Sequence, residues 1–433
     1  MSHDVRHLAD MPLRRLDPVP NALRLGAPIL IVLGVVVFIA AAMMDAPRAL
    51  RAYHYNWLFF TTIAQGAVTL AAVVTITRGL WSRPIRRIAL AFAAFLPVAY
   101  LLILPILLGA RHIFPWVEHP VQEKVAYLNV PFMSARILVL LGILFTLDLV
   151  FVFWSLRPDV GRALDEAPEK LRSLYARFTQ RWQGQELEEV RSHKKLAVLA
   201  PVIALFWALG FGVMAWDFVM SLEPHWFSTM IGPYVFMSGF LGGIAATALA
   251  CVLYVTRAGQ GDVIRPTNFH DLGKMTFGFC VFWAYLYYSQ FIVIWYGLLP
   301  IEQDWLIHRL SQPFLPIMIM VFICMFVLPF FGLLGVAPKR NPKTLAFFAS
   351  IVLFGLWIER YTLVYPSYAE YRELSGVPFG WQEIGIALGF LGIVLACVSW
   401  FASRFPLYQM WQPMSEVELL GVPAPEPAQR QRI

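Results

Sequence analysis

The chain has 433 residues, of which 59% are hydrophobic and only 14% charged, and its mean hydropathy is +0.64. This composition excludes a set of soluble domains and is typical of a protein that crosses a membrane many times. The formal net charge of +7 reflects membrane topology and contact with anionic lipids, and we expect no nucleic-acid partner.

Runs of about 20 apolar residues mark membrane-spanning helices, and the chain contains ten of them. We therefore expect an all-α integral membrane protein with ten transmembrane helices, numbered here as spans 1 to 10. The predicted spans are 26–44, 56–77, 88–110, 135–156, 196–216, 232–256, 272–298, 313–335, 344–358 (or to 364) and 384–403.

Ten spans place both termini on the same side of the membrane. The segments on that side hold 25 of the 34 Lys and Arg residues, and those on the other side hold 7. By the positive-inside rule, the N-terminal segment 1–25 and the C-terminal tail 404–433 are cytoplasmic. The N-terminal segment has no apolar core, so we expect span 1 to be an uncleaved signal anchor. The Pro-rich tail is expected to be disordered or to lie on a neighbouring subunit.

A cytoplasmic insert, residues 157–195, separates spans 1–4 (26–156) from spans 5–10 (196–403). Its sequence predicts an amphipathic helix that lies on the membrane surface, and the alternative is a docking site for a soluble partner. The apolar stripe consists of Leu171, Leu174, Tyr175, Phe178 and Trp182.

The loop after span 5 is acidic and aromatic, and contains no Lys or Arg. Such a loop suits the docking of an extracytoplasmic partner, for which the candidates are Asp217, Glu223, His225 and Trp226. The alternative for His225 is a histidine whose hydrogen bonds are satisfied within the protein. We expect this loop to meet the preceding loop on the same side, which carries Arg111, His112, Glu118 and His119.

The chain lacks the clustered ligands that most redox cofactors require. Its four cysteines lie singly in or beside different spans, which excludes covalent haem c, an iron–sulfur cluster and structural zinc. None of the nine histidines lies in the middle of a predicted span, so we expect no intrinsic haem. The sequence also contains no nucleotide-binding fingerprint or HExxH motif. We expect no cofactor and no metal to be bound by this chain.

Several ionisable residues fall at membrane depth, where they are commonly parts of proton relays. Asp148 lies nine residues before Arg157, which places it about 13 Å inside the membrane. The alternative is a carboxyl group that a neighbouring helix satisfies. Lys274, Tyr285 and Ser289 form a half-polar face of span 7, for which helix packing and a groove for a quinone tail are the alternatives.

Glu359 and Arg360 end span 9 on the extracytoplasmic side, either as part of a relay or as an interfacial ion pair. The complete set of proton-path candidates is Asp148, Asp217, Lys274, Tyr285, Ser289, Glu359 and Arg360.

Two long motifs carry a family resemblance. The segments DFVMSLEPHWFSTMIGPYVF (217–236) and FHDLGKMTFGFCVFWAYLYYSQFIVIWYGLLP (269–300) resemble the ActF subunits of alternative complex III, which are related to the NrfD and polysulfide reductase membrane subunits. This resemblance implies two four-helix bundles plus two peripheral helices in a bacterial inner membrane.

The resemblance also implies a role in a bacterial electron transport chain. Quinol, iron–sulfur clusters and haem c are then expected on partner subunits, and this chain is expected to be non-catalytic in electron transfer. The implied partners are membrane lipids, a paralogous ActC-like membrane subunit, extracytoplasmic iron–sulfur and c-type cytochrome subunits, and small membrane subunits. No residue of this chain is carried over as a quinone ligand.

We therefore expect a membrane subunit of a quinol:electron acceptor oxidoreductase that supports the complex and conducts protons. The first alternative is a secondary transporter, because ten spans with internal prolines and a buried Asp also suit that class. The second is an NrfD-type anchor that itself binds quinol, for which the residues at the extracytoplasmic ends of spans 2–5 are His54, Asn56, His112 and Arg136.

Overall fold

The computed structural model describes residues 14–258, 261 and 263–411, and within these residues it contains helices but no strand. Ten helices are long and apolar enough to cross a membrane, which confirms the predicted class of a multi-pass membrane protein. The spans are Asn21–Met44, Ala46–Ile76, Leu80–Leu108, Val130–Arg162, Gln185–Leu222, Ile231–Thr256, Pro266–Gly297, Leu315–Gly332, Pro342–Ser367 and Trp381–Arg404.

Spans 2–5 pack into one four-helix bundle and spans 6–9 into a second, as predicted. Spans 2 and 6 join the two bundles. They approach closely because glycines face each other: a Cβ atom on Gly66 would lie only 2.2 Å from the carbonyl oxygen of Gly239. Small residues at a helix contact allow backbones in a membrane to pack tightly.

Spans 1 and 10 form a peripheral pair whose helices pack on each other and on spans 2 and 3. Here Gly34 and Gly389 allow the close approach. The backbone N–H of Leu16 bonds to the carbonyl oxygen of Ala402 at 2.9 Å, so both described ends of the chain lie at one end of the bundles. We call this end the terminal face and the opposite end the distal face.

Two spans depart from regular α-helix at prolines. Span 3 is built from short helical pieces, Leu80–Ser82, Arg83–Leu90, Ala91–Phe95, Leu96–Leu101 and Leu104–Leu108. Span 8 contains a π-helical segment, Ile323–Val327, directly before Leu328–Gly332. Pro329 lacks the N–H that would bond to the residue four positions earlier, and this loss widens the helix locally.

The helices of spans 4 and 5 extend beyond the predicted spans into the predicted insert, to Arg162 and from Gln185. Their extensions are joined by a buried ion pair, in which the guanidinium of Arg157 donates to Glu188 at 2.7 and 3.0 Å. Hydropathy could not predict this continuation because the paired charges are strongly polar.

The insert helix, Glu169–Phe178, is the predicted amphipathic helix. Its apolar face packs on the protein. Tyr175 is 1% exposed, its hydroxyl donates to the carbonyl oxygen of Arg404 at 2.8 Å, and the ring of Phe178 packs at a tilt against that of Phe405.

The beginning of the predicted C-terminal tail is ordered and buried on the terminal face, in contrast to the expectation of disorder. The carboxylate of Asp159 accepts the backbone N–H groups of Met410 and Trp411, and also the guanidinium of Arg87 at 2.7 Å. The tail beyond residue 411 and the segment 1–13 lie outside the described residues.

Other short helices connect the spans. They are Ala110–Ile113, Pro115–Val117, Gln122–Lys124, Met220–Leu222, Pro300–Leu310, Val336–Arg340, Tyr365–Ser367 and Ala369–Arg372.

Candidate functional site

The distal face contains a partly open cavity of about 700 Å³. Its walls come from the loops after spans 3, 5, 7 and 9 together with the first turns of span 2, so both bundles contribute. The loop residues Arg111, His112, Glu118 and His119 line it together with Glu223 and His225, and the two loops therefore meet as predicted.

Glu223 is held by a network on the cavity wall. Arg309 donates to one carboxylate oxygen at 2.8 Å and Ser367 donates to the same oxygen at 2.9 Å. His308 Nδ1 lies 3.2 Å from the other oxygen, and its Nε2 contacts Arg372. Burial by itself would raise the pKa of Glu223, but these partners, with Arg309 the strongest, lower it to about 2. The carboxylate is therefore a fixed anion that holds three loops together.

The four docking candidates lie in different environments. His225 is exposed on the cavity wall, whereas Trp226 is 2% exposed and stacks on Trp305 with ring centroids 4.4 Å apart. Asp217 is fully buried, and Arg136 donates to it at 2.6 and 2.9 Å. Only His225 of this set presents an open side chain, and the other three shape the loop that carries it.

A second charged network lies beside the cavity at the start of span 2. Arg51 contacts Glu370 and the ring of Tyr368, with its guanidinium carbon 3.8 Å from the ring centroid. One turn earlier, Arg48 donates to Glu383 at 2.9 Å, and the hydroxyl of Tyr365 donates to the same carboxylate at 2.8 Å. These pairs tie span 2 to span 10 and to the loop before it.

Asp148 lies in the interior of the first bundle and is fully buried. Neither of its carboxylate oxygens forms a hydrogen bond of ordinary geometry within the described chain. The side chain of Gln65 from span 2 lies next to it, and the Gln65 amide oxygen is also without a partner there. Polar atoms buried in this way are commonly satisfied by internal water.

Gln65 belongs to a polar stripe along span 2. His54, Thr61, Gln65 and Thr69 are all 0% exposed, and their separations of 7, 4 and 4 residues put them on one helix face. Both ring nitrogens of His54 and the hydroxyl of Thr61 lack partners among the described residues. His54 lies about 16 Å along the helix from Gln65, close to the distal cavity, whose wall includes Arg51.

The second bundle buries a different carboxylate, Glu359, which is fully paired. The indole N–H of Trp283 donates to one oxygen at 2.7 Å, and Arg360 donates to the other at 2.5 Å. Arg360 also donates to Ser238 at 2.8 Å. Glu359 and Arg360 are both 1% exposed, so this pair lies inside the bundle rather than at an exposed end of span 9.

The polar residues of span 7 do not converge on Asp148. Lys274 is paired with Asp271 at 2.7 Å, and its side chain is 57% exposed. Tyr285 is 60% exposed on the outer surface of the bundle, and Ser289 is half-buried. The proton-path candidates therefore lie in different surroundings. Asp148 lies inside the first bundle, Asp217, Glu359 and Arg360 belong to buried ion pairs, and Lys274 and Tyr285 are exposed.

The sequence did not single out Gln65, Thr61, His308, Arg309 or Glu383 as site residues. The sequence could have indicated Arg309, because it is one of the few basic residues on the distal side and so could have been predicted to pair with an acidic residue there. The sequence could not have indicated Gln65, since a single Gln in an apolar run does not show which residue of another helix faces it.

Comparison with known families gives one match. A family model described as "Polysulphide reductase, NrfD" matches residues 44–371. This region extends from the beginning of span 2 to the loop before span 10 and contains both bundles and most of the distal cavity. No curated protein matches the chain.

Proposed function

The chain belongs to the NrfD polysulphide reductase family, a family of membrane subunits of quinone-interacting oxidoreductases, and we propose that it is the ActF-type subunit of an alternative complex III. In this role it carries no redox cofactor of its own. Quinol oxidation, the iron–sulfur clusters and haem c belong to partner subunits. Both termini face the cytoplasm of a bacterium, and the distal face is extracytoplasmic, in accordance with the distribution of Lys and Arg.

The buried carboxyl group of Asp148, which forms no ion pair among the described residues, is the observation on which the proton-conducting part of this function depends. A carboxylate at membrane depth requires a proton, a cation or water. The stripe formed by Gln65, Thr61 and His54 continues from Asp148 towards the distal cavity. Internal water along this stripe would let a proton move between Asp148 and the extracytoplasmic side.

The distal cavity supports the second part of the function, which is the docking of extracytoplasmic redox subunits. Its walls are fixed by buried pairs such as Glu223 with Arg309, so the rim keeps its shape without a partner. His225 and Phe227 are exposed on the loop after span 5. A rigid socket with exposed aromatic and polar groups at its rim is suited to protein recognition.

The assembly is tested by mild detergent extraction of the tagged chain from its native membrane, followed by a reduced-minus-oxidised spectrum and mass spectrometry. We expect haem c absorbance, an iron–sulfur polypeptide and a second ten-span subunit. A colourless preparation of this chain alone, obtained under conditions that preserve other respiratory complexes, would favour the transporter alternative and overturn the proposal.

The proton route is tested with Asp148→Asn in the complex reconstituted into vesicles. Electron transfer should continue while the number of protons translocated per electron falls. Thr146→Val is the matched control, because Thr146 lies on the same helix, is exposed, and bonds only to its own backbone at Gly142. An unchanged proton-to-electron ratio in Asp148→Asn would remove Asp148 from the route.

His54 favours a second candidate function, an anchor that binds quinol directly. Its two free ring nitrogens would suit a quinol hydroxyl, but the ring is packed against Phe114 and Phe218, with centroids 5.9 and 5.4 Å away. His54→Gln separates the two functions. A raised KM for quinol would support the anchor, whereas an unchanged KM with a reduced proton yield would support the route.

A further inference from the structure

Span 7 exposes two tyrosine side chains to the surroundings of the bundle. Tyr285 is 60% exposed and Tyr288 is 59% exposed. Tyr285 lies eleven residues from Lys274 and eleven from Tyr296, or about 16 Å from each along the helix. Lys and Tyr are residues that mark membrane interfaces, so Tyr285 lies near the centre of the hydrocarbon layer and Tyr288 about 5 Å from it.

The exposed Thr and Ser hydroxyl groups of other spans are satisfied by their own helix. Thr146 donates to the carbonyl oxygen of Gly142 at 2.6 Å, and Ser350 donates to that of Ala346 at 2.8 Å. A tyrosine hydroxyl cannot do this, because the ring holds it away from its own backbone. No hydrogen bond of the Tyr285 or Tyr288 hydroxyl is formed within the part of the chain that the structure describes.

Tyrosines elsewhere in the spans show how the hydroxyl is normally satisfied in this protein. Tyr53 donates to the carbonyl oxygen of Leu102 at 2.7 Å, and Tyr100 donates to that of Leu138 at 3.1 Å. In both cases the acceptor is a backbone carbonyl of a neighbouring span. The face of span 7 therefore resembles a helix contact from which one helix is missing.

The lipid-facing surface of span 1 gives the contrast. Its exposed side chains are aliphatic, and include Ile29, Val32, Val36 and Ile39. Lipid tails solvate such a surface fully, but they offer no acceptor to a hydroxyl group, and a polar group without a partner in hydrocarbon is costly.

We propose that the outward face of span 7 is covered by a transmembrane helix of a different polypeptide, which supplies hydrogen-bond acceptors at the depths of Tyr285 and Tyr288. The face is bulky, since Phe282 and Ile292 are also exposed on it. Close packing therefore requires small residues on the partner helix. A second copy of the same face would present large rings again, so the partner is a helix of another sequence.

The interface rests on the proposed function in one respect: that function implies that the covering helix belongs to another subunit of the same respiratory complex. The two tyrosines require a covering helix in any membrane assembly. The experiments below separate the two claims.

The first experiment places the photo-reactive residue benzoylphenylalanine at position 285, at position 288, and at position 36 as a control. The tagged chain is irradiated in its native membrane and the adducts are identified by mass spectrometry. We expect positions 285 and 288 to crosslink to one other polypeptide, at a peptide within a membrane-spanning segment of that partner, and position 36 to give lipid adducts only. Adducts of positions 285 and 288 with lipid, quinone or a second copy of this chain would overturn the proposal.

The second experiment removes single hydroxyl groups. Tyr285→Phe and Tyr288→Phe should each weaken retention of the crosslinked partner in detergent by about threefold, as expected for one hydrogen bond between membrane helices. Tyr296→Phe is the matched control, because Tyr296 lies on the same helix, is 81% exposed and stands next to the end of the span at Gly297, where interfacial water is available as an acceptor. Equal retention in all three variants would overturn the proposed hydrogen bonds.

The identity of the partner separates the interface from the proposed function. A captured membrane subunit that copurifies with haem c and iron–sulfur proteins would support both. A captured membrane polypeptide that depends on the two hydroxyls, but belongs to no redox complex, would support the interface and overturn the proposed function.

Discussion

Each of the two bundles buries a carboxyl group, but the hydrogen-bond partners of the two carboxyl groups differ. In the second bundle, the carboxylate of Glu359 accepts hydrogen bonds from the guanidinium of Arg360 and the indole N–H of Trp283. In the first, neither oxygen of Asp148 forms a hydrogen bond of ordinary geometry among the described residues, and only the side chain of Gln65 lies beside them. The two groups have the same acidic chemistry and both lie inside a helix bundle, so the difference is one of surroundings alone.

This difference separates structural from functional charge. A paired, hydrogen-bonded charge stabilises the arrangement of the helices that supply its partners, and removing one partner leaves the other buried and uncompensated. An unpaired carboxyl group contributes no such stability and persists only where it serves another purpose or is solvated by internal water. The predictions below test this separation through the stability of variants.

Arg360→Met should have the largest effect, because it leaves the carboxylate of Glu359 buried without its guanidinium partner. We expect a loss of about 3–5 kcal/mol in the free energy of unfolding. A thiol-reactive dye can follow unfolding in detergent, since Cys251 and Cys280 are buried in the folded protein. The double variant Arg360→Met/Glu359→Leu should recover part of the loss, and a double variant no more stable than Arg360→Met would contradict the ion-pair explanation.

Acidification should weaken the contacts between the distal loops, because protonation of Glu223 removes the negative charge that holds Arg309 and His308. Its pKa is about 2 in the folded protein, below the ordinary value of 4.5. The ionised carboxylate therefore stabilises the fold above about pH 4.5, and this contribution, on the order of 3 kcal/mol, is lost as the pH falls towards 2. Hydrogen exchange of the helix Pro300–Leu310, corrected for intrinsic rates, should increase over that interval.

Glu223→Gln is the control for this titration. It should remove most of the pH dependence and leave the helix in faster exchange at neutral pH. A wild-type profile that is flat between pH 5 and pH 2.5 would show that Arg309 and His308 do not act through this carboxylate.

Trp283→Phe should have a smaller effect within the second bundle. It removes the N–H that donates to Glu359 while retaining an aromatic ring, and hydrogen bonds to charged groups contribute about 1.5–3 kcal/mol. Trp295→Phe on the same span is the matched control, because Trp295 is 59% exposed. The dye assay should show a clearly lower unfolding temperature for Trp283→Phe, and similar curves for both variants would indicate that the indole bond is unimportant.

Hydropathy predicted the number of spans, because it depends only on short segments. The two bundles were implied by the family resemblance and not by hydropathy. Hydropathy misplaced the start of span 2, predicted at 56 and observed at Ala46. The helix begins earlier because Arg48 and Arg51 are paired with Glu383 and Glu370, which lie more than 300 residues away in the chain. A hydropathy window cannot detect partners at that distance.

The same limitation applies to the candidate site. Asp148 was identifiable from its depth, but the absence of a partner is a property of the packed bundle. Glu359 and Arg360 are adjacent in the sequence, yet their burial depends on Trp283 of span 7 and Ser238 of span 6. Tyr285 was predicted to lie on a half-polar face of span 7 with Lys274 and Ser289, and the structure shows that its side chain is exposed on the outer surface of the bundle.

Asp148→Asn should have the smallest effect on stability, within about 1 kcal/mol of the wild type and in either direction. Asn has nearly the same shape, and the carboxyl group that it replaces has no charged partner and only the side chain of Gln65 beside it. Glu359→Gln is the matched comparison in the other bundle and should be clearly destabilising in the same dye assay, since it weakens a bonded pair. If Asp148→Asn were instead as destabilising as Glu359→Gln, Asp148 would have a bonded partner in the membrane, and the argument for a proton-carrying group in the first bundle would fail.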